Sequence, residues 1–304
     1  MQNAAVERYF TGVRSITVIG GGRIGGSLAI ALSRAGHTVD ELVFRSDRYL
    51  NALRKELPPT TQFRPERDWD SVESDIAIIA SGDPEISGIA ERMARFDRLP
   101  GIALHTSGSL SSAELSPLAE KGVLTASLHP LAAVSDPLTG PDRFRGAYFC
   151  AEGDDEAVRV AKALAEDIGG HSFTIRTEAK SLYHAAAVMS AGHVVALLDA
   201  AIEMMTRCGL THEEARQVLV PLASGSLANL SDRTPAAALT GPYARGDEGA
   251  LERHLEAFSE SGISGEIVSI YLALAARSVE IMLREGDDVT ELRNRILIAK
   301  REAE

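Results

Sequence analysis

Short runs of consecutive apolar residues alternate with helical patterns through the first half of the chain, and longer helical patterns take over in the second. Ile16-Thr17-Val18-Ile19 is β-branched throughout and reads as a strand buried on both faces. Further strands are expected at 39–44, 75–80, 101–105, 123–128, 147–150 and 172–175, with helices through 29–35, 49–56 and 156–168. After Thr177, Ala/Leu/Val-rich helical periods are expected at 178–207, 212–230, 248–260, 267–284 and 289–303. The pattern predicts an α/β fold. A doubly wound, mainly parallel sheet over 1–176 precedes an all-helical domain over 177–304.

The first strand runs into Gly20-Gly21-Gly22-Arg23-Ile24-Gly25, and an Ala/Leu/Ile-rich helix follows. Gly20, Gly22 and Gly25 fill the three places of G-x-G-x-x-G: one for the turn, one for close approach of a pyrophosphate, one for packing of helix on strand. This stretch, with the amides of Arg23 and Ile24, is the expected dinucleotide site. Arg23 adds a cation near the phosphates or simply faces solvent. About twenty residues beyond the last of these glycines, an NAD site would carry Asp or Glu for the ribose 2′-hydroxyl. Here Arg45 and Ser46 follow the second strand, a cation and a hydroxyl suited to a 2′-phosphate, which points to NADP. A solvated charged turn with Asp47 and Arg48 is the other account. The strand at 75–80 ends in Ser81-Gly82-Asp83-Pro84, so Ser81 and Asp83 should edge the cofactor cleft, or Asp83 caps a helix.

Charge and cysteine usage narrow the partners. Lys+Arg number 31 against 43 Asp+Glu, a formal net charge of -12, so nucleic acid is not an expected partner. Cys150 and Cys208 stand apart from any metal-ligand spacing, which argues for free thiols in the cytoplasm and no metal. Residues 1–11 carry Glu7 and Arg8 and do not read as a signal peptide. No stretch is expected to approach the roughly 20 apolar residues that span a bilayer.

The second half carries its own candidates. Lys180 and His184 are four apart on one helical face that continues through Ala187 and Ala191, polar and then small, which leaves room for a ligand. Alternatively Lys180 caps a surface turn and His184 is a core histidine. Arg245, in a Gly-Pro and Arg-Gly-Asp loop, either grips a carboxylate or pairs with Asp247. His254, in the next helix, is expected at the surface.

Taken together, Gly20-Gly21-Gly22-Arg23-Ile24-Gly25, His105-Thr106-Ser107-Gly108-Ser109, Leu128-His129-Pro130-Leu131, Tyr183-His184-Ala185-Ala186 and Thr240-Gly241-Pro242-Tyr243-Ala244-Arg245-Gly246-Asp247 make the chain resemble a known bacterial family. Its members join a Rossmann-like domain to a C-terminal domain of unknown function, within the 6-phosphogluconate dehydrogenase-like superfamily. The resemblance implies an NADP-dependent oxidoreductase, dimeric through the helical domain, acting on a small 2-oxo acid of the ketopantoate kind. It implies Lys180 and His184 as the proton-handling pair. Arg245 and Thr240 would hold the substrate carboxylate, and Ser107 and His129 would line the nicotinamide end, with the site expected between the domains. One departure stands out: Gly192, followed by His193, occupies a place where the superfamily leads one to expect Asn. The alternatives are a prephenate dehydrogenase-like or imine-reducing member, or an NADP-binding regulatory protein without catalysis.

Overall fold

The computed structural model describes residues 12–303, so the expectation for residues 1–11 lies outside the described residues. One sheet carries eight strands: β1 (Ser15–Ile19), β2 (Thr38–Phe44), β3 (Gln62–Pro65), β4 (Ile76–Ile79), β5 (Ile102–His105), β6 (Leu124–Leu131), β7 (Tyr148–Gly153) and β8 (His171–Thr174). Their order is β3-β2-β1-β4-β5-β6-β7-β8, and only the β6/β7 pairing is antiparallel. The sheet is doubly wound, as expected. Helices α1 (Arg23–Arg34), α2 (Leu50–Glu56), α3 (Asp83–Met93), α4 (Ser116–Ala119), α5 (Gly140–Phe144) and α6 (Asp155–Asp167) connect the strands.

Strands such as Ile76-Ala77-Ile78-Ile79 are buried on both faces, because each face has its own apolar cover. Ile16, Val18 and Ile78 join one cluster with Leu28 of α1 and Leu164 of α6. Ile19, Ala77 and Ile79 join another with Ile86 and Met93 of α3 and with Trp69. Strand β3 is not legible in the sequence: it follows Pro58-Pro59, offers one apolar residue, Phe63, and ends at Pro65, a composition tolerated at a sheet edge.

Seven helices follow: α7 (Lys180–Ser190), α8 (Gly192–Arg207), α9 (His212–Asp232), α10 (Pro235–Ala238), α11 (Glu248–Ser261), α12 (Gly265–Glu285) and α13 (Thr290–Ala303). The expected boundary near Arg176 is corrected. The sheet unit closes at Met189 and the second unit begins at Ser190. Helix α7 belongs to the first unit because its inner face is polar and is held by the sheet: the Lys180 Nζ donates to Ser127 Oγ at 2.5 Å, and the Tyr183 hydroxyl lies 2.7 Å from His129 Nδ1. The chain then breaks at Ala191 (φ -124°, ψ -75°), so the expected helix over 178–207 is two helices. Gly192, with open space where a Cβ would be, begins the second.

In the second unit, α11, α12 and α13 bury a core of Leu251, Leu272, Val279, Leu292 and Ile296. Helices α8 and α9 each bury a single residue, Ala200 and Ala215, and leave Val195, Val218, Leu222 and Leu227 exposed. The span Thr177–Arg207 holds an 18-residue window of mean hydropathy 1.7 with none of it buried. That is a correction to the expectation that no stretch nears membrane-spanning length. Alanine-rich sequence reaches this hydropathy without an unbroken run of large apolar residues, and the break at Ala191 divides the span into two helices.

Candidate active site

Three glycines at the end of β1 do three different jobs. Gly20 has φ +110°, and a Cβ there would meet the Ala80 carbonyl oxygen at 2.6 Å, so the chain turns where a side chain is excluded. Gly25 sits so close to the turn that a Cβ would lie 1.9 Å from the Gly20 oxygen, which seats α1 on the strand end. Gly22 differs from both, since nothing lies within 4 Å of its Cβ position. Room without packing demand is what a ligand approaching the backbone requires. Gly22 precedes α1 and no side chain caps it; the Gly26 amide donates to its carbonyl at 2.9 Å. The amides of Arg23, Ile24 and Gly25 therefore come before the helix's own hydrogen-bond ladder and are available to an anion.

A cavity of about 270 Å³ opens on this turn, lined by Gly20, Gly21 and Gly22, by Arg45 and Ser46 from the end of β2, and by Ser81 from the end of β4. Because β2 and β4 flank β1 in the sheet, their ends form the two walls. Arg23 and Ile24 begin α1, Arg23 exposed and Ile24 packed against the core, and neither lines the cavity by its side chain. Asp83 does not line it either. It is the first residue of α3 rather than its cap, which is Gly82, and its carboxylate accepts from the Ser109 hydroxyl at 2.6 Å, tying the loops after β4 and β5 together.

A second cluster lies where β5 and β6 end. His105 is fixed as one neutral tautomer: its Nδ1 accepts from the Ser107 amide at 3.2 Å and its Nε2 donates to the Ser111 carbonyl at 3.0 Å. The Ser107 hydroxyl oxygen accepts from the amides of Ser109 and Leu110, so Ser107 shapes the loop. Gly108 lies between two imidazoles. A Cβ there would fall 2.4 Å from His184 Nδ1 and 2.8 Å from His129 Nε2. His129 and His184 stand with ring centroids 5.7 Å apart, and His184 Nδ1 is buried without a hydrogen-bond partner.

Lys180 lies among buried groups, 2% exposed. Its amine reaches Ser127 Oγ and stands 3.8 Å from Glu152 Oε1, while Glu152 accepts from the Ser112 amide and hydroxyl, both at 2.9 Å. Lys180 therefore caps no surface turn, the alternative considered for it. Burial lowers its pKa, opposed by the charge of Glu152. Burial is also the main cause that lowers His105 and His129 to about 4, with the Lys180 charge adding to it. Both imidazoles fold neutral, so their contribution to stability is complete above the ordinary histidine value of 6.5 and is lost as pH falls toward 4. Urea titrations at pH 7 and 5 should show a lower midpoint at pH 5; a higher midpoint at pH 5 would contradict this reading.

Two family profiles match the sequence, one for a Rossmann-like domain at residues 7–130 and one for a domain of unknown function, DUF2520, at residues 147–278. The two matches lie one after the other along the chain, the Rossmann-like match first. The DUF2520 match begins inside the sheet and takes in β7, β8 and α7, so Glu152, Lys180 and His184 all fall within it. Among curated proteins none matches. Among solved structures, a Thermotoga maritima protein is 24% identical with a TM-score of 0.69, over 90% of this chain and 100% of its own. A Bacteroides fragilis protein described as a candidate NADP oxidoreductase is 20% identical (TM-score 0.67; 88% of this chain, 98% of its own). A Plasmodium falciparum pyrroline carboxylate reductase with NADP bound is 12% identical (TM-score 0.55; 89% of this chain, 99% of its own). At these identities the likeness is one of fold.

Within the stretch matched by DUF2520, the loop before α11 is held by its own backbone. Gly241 and Gly246 have positive φ, and the Pro242 carbonyl accepts from the amides of Arg245 and Asp247. The considered Arg245–Asp247 pair is not what Asp247 makes: its carboxylate accepts from the Ala250 amide at 3.0 Å, capping α11, and lies 3.7 Å from Arg253. Arg245 and Thr240 are exposed. His254 is half-buried, a correction to its expected surface position, because its Nδ1 lies 2.5 Å from the Tyr271 hydroxyl, which in turn lies 2.5 Å from the Tyr243 hydroxyl. No metal-ligand cluster of His, Cys, Asp and Glu occurs among the described residues.

Sequence reasoning missed Glu152, Ser127, Tyr183 and Glu85. Glu152 carried the one available signal, a carboxylate inside an otherwise apolar strand.

Proposed function

We propose that the protein is an NADP(H)-dependent oxidoreductase moving a hydride to or from a small carboxylate-bearing substrate. The observation that carries this is the cavity at the Gly20–Gly22 turn, which joins free helix-start amides to a cation and a hydroxyl at the end of β2. The amides of Gly22, Arg23 and Ile24 would hold the diphosphate, and Arg45 and Ser46 a 2′-phosphate. When bound, the coenzyme supplies or accepts the hydride.

His184 is the proton-handling group in this reading. Its buried Nδ1 lacks a partner, whereas the Lys180 amine is held by Ser127 and Glu152. Lys180, also expected to act on the substrate, is in this reading a positioning residue whose charge helps keep His105 and His129 neutral. Burial keeps the Tyr183 phenol protonated, so it can donate to His129 Nδ1 and leave the His129 proton on Nε2, beside Gly108. Arg245, with Thr240, is the proposed grip for the substrate carboxylate. Replacing His184 by Asn should lower turnover by about a hundredfold or more with NADPH affinity unchanged. Unchanged turnover would remove His184 from the chemistry.

Reduction of a 2-oxo acid such as ketopantoate is one form of this reaction; reduction of a carboxylate-bearing imine is the other, supported by the name of the Plasmodium falciparum structure. A panel of both substrate classes, read as NADPH consumption, separates them. Tight NADPH binding with turnover of none would favour a regulatory NADP-binding protein.

The exposed apolar residues of α8 and α9 support a homodimer through the helical domain. Sedimentation should give twice the 32.4 kDa chain mass; a monomer at micromolar concentration would refute pairing. Free Cys150 and Cys208 support a cytoplasmic setting.

A further inference from the structure

The Arg45 guanidinium is not idle at the end of β2. It pairs with the carboxylate of Glu85, which stands in the first turn of α3 after β4. Both residues line the cavity over the Gly20–Gly22 turn, and they come from its two opposite walls, so the ion pair spans it. Arg45 is 67% exposed and Glu85 32%. Such a pair is weak and exchangeable, because water screens both charges. Glu85 also has a second source of stabilisation, the positive end of the α3 dipole, so releasing the guanidinium leaves the carboxylate favourably placed. The Ser46 oxygen accepts from the Arg48 amide at 3.3 Å, which leaves its O–H free to donate.

Resting on the coenzyme reading above, we propose that Glu85 is a specificity-determining residue: it clasps Arg45 across the cavity, and a ribose 2′-phosphate must take the guanidinium from it. A phosphate dianion gains a charge-assisted pair with Arg45 and a hydrogen bond from Ser46, and it meets the negative charge of Glu85. A ribose 2′-hydroxyl gains too little to break the clasp and feels no such repulsion. Glu85 therefore lowers affinity for the phosphorylated nucleotide selectively.

The test is calorimetric titration of full-length wild type and Glu85→Gln with four probes: 2′,5′-ADP, 5′-AMP, NADPH and NADH. The substitution should tighten 2′,5′-ADP and NADPH by about fivefold and leave 5′-AMP and NADH within about twofold. In an Arg45→Leu background, Glu85→Gln should bring no gain for either phosphorylated probe. Equal changes for all four probes, or none, would overturn the proposal while leaving the coenzyme site intact. Failure of wild type to bind any of the four would overturn the coenzyme reading and this proposal with it. A thermal melt of each variant checks the fold, and a loss of melting temperature without a change in discrimination counts against the proposal.

Discussion

Replacing Lys180 by Met should cost the fold about 3–5 kcal/mol, the range expected when one partner of a buried ion pair is removed. The side chains of Lys180 and Glu152 are 2% and 1% exposed, so the carboxylate left behind cannot recruit bulk water. Its remaining support is the Ser112 amide and hydroxyl, together with Ser127. Hydrogen bonds from Ser127 and Ser112, and the charge of Lys180, hold the Glu152 pKa below its ordinary value despite burial. In wild type this carboxylate contributes stability that is present above its unfolded value of about 4.5 and is lost as pH falls. Without Lys180 that preference weakens or reverses, since burial then favours the protonated acid. The stability gap between variant and wild type should therefore narrow as pH falls from 7.5 toward 4.5. Urea unfolding followed by circular dichroism measures it. Pairing Lys180→Met with Glu152→Gln should recover much of the loss, because no uncompensated charge remains. A gap independent of pH, with no recovery in the double variant, would show that the pair is not what anchors α7 to the sheet.

The glycine turn should separate packing from ligand binding. Gly25→Ala places a methyl 1.9 Å from the Gly20 oxygen and 2.9 Å from the Ala80 Cβ. The nearest obstacle is main chain rather than a flexible side chain, so α1 must lift off the strand end, costing about 1–3 kcal/mol. The amides that would receive the diphosphate move with it, and NADPH affinity should fall by about a hundredfold, the scale of loss that a misplacement near 1 Å produces. Gly22→Asn should behave oppositely toward the fold. Gly22 has φ -79°, open space around its Cβ position, and the cap position of α1, where asparagine is favoured. Its melting temperature should hold or rise while NADPH binding falls. Equal binding by Gly22→Asn and wild type would mean that the open face of Gly22 is not where a nucleotide lies.

What the sequence disclosed follows from how local each signal is. Ile16-Thr17-Val18-Ile19 and the glycines after it state their strand, turn and helix in neighbouring residues, and the sheet formed as the pattern required. Arg45 and Ser46 were legible as anion-binding candidates because a fixed spacing from Gly25 brings the end of β2 beside the end of β1. Partners that come from distant elements left no trace. Glu85 reaches Arg45 from α3, Glu152 reaches Lys180 from β7, and Tyr271 reaches His254 from α12; in each case only tertiary packing makes the pair. The unit boundary failed for the same reason. Helix α7 looks like the first member of a helical series, yet the hydrogen bonds of Lys180 and Tyr183 to strand β6 fasten it to the sheet.

The proposed coenzyme chemistry depends on the Gly20–Gly25 turn holding a nucleotide diphosphate. A crystal structure of the protein grown with NADP is the most direct test. The diphosphate should lie against the amides of Gly22, Arg23 and Ile24, with the 2′-phosphate beside Arg45 and Ser46. Nucleotide bound elsewhere, with this turn empty at saturating concentration, would contradict it.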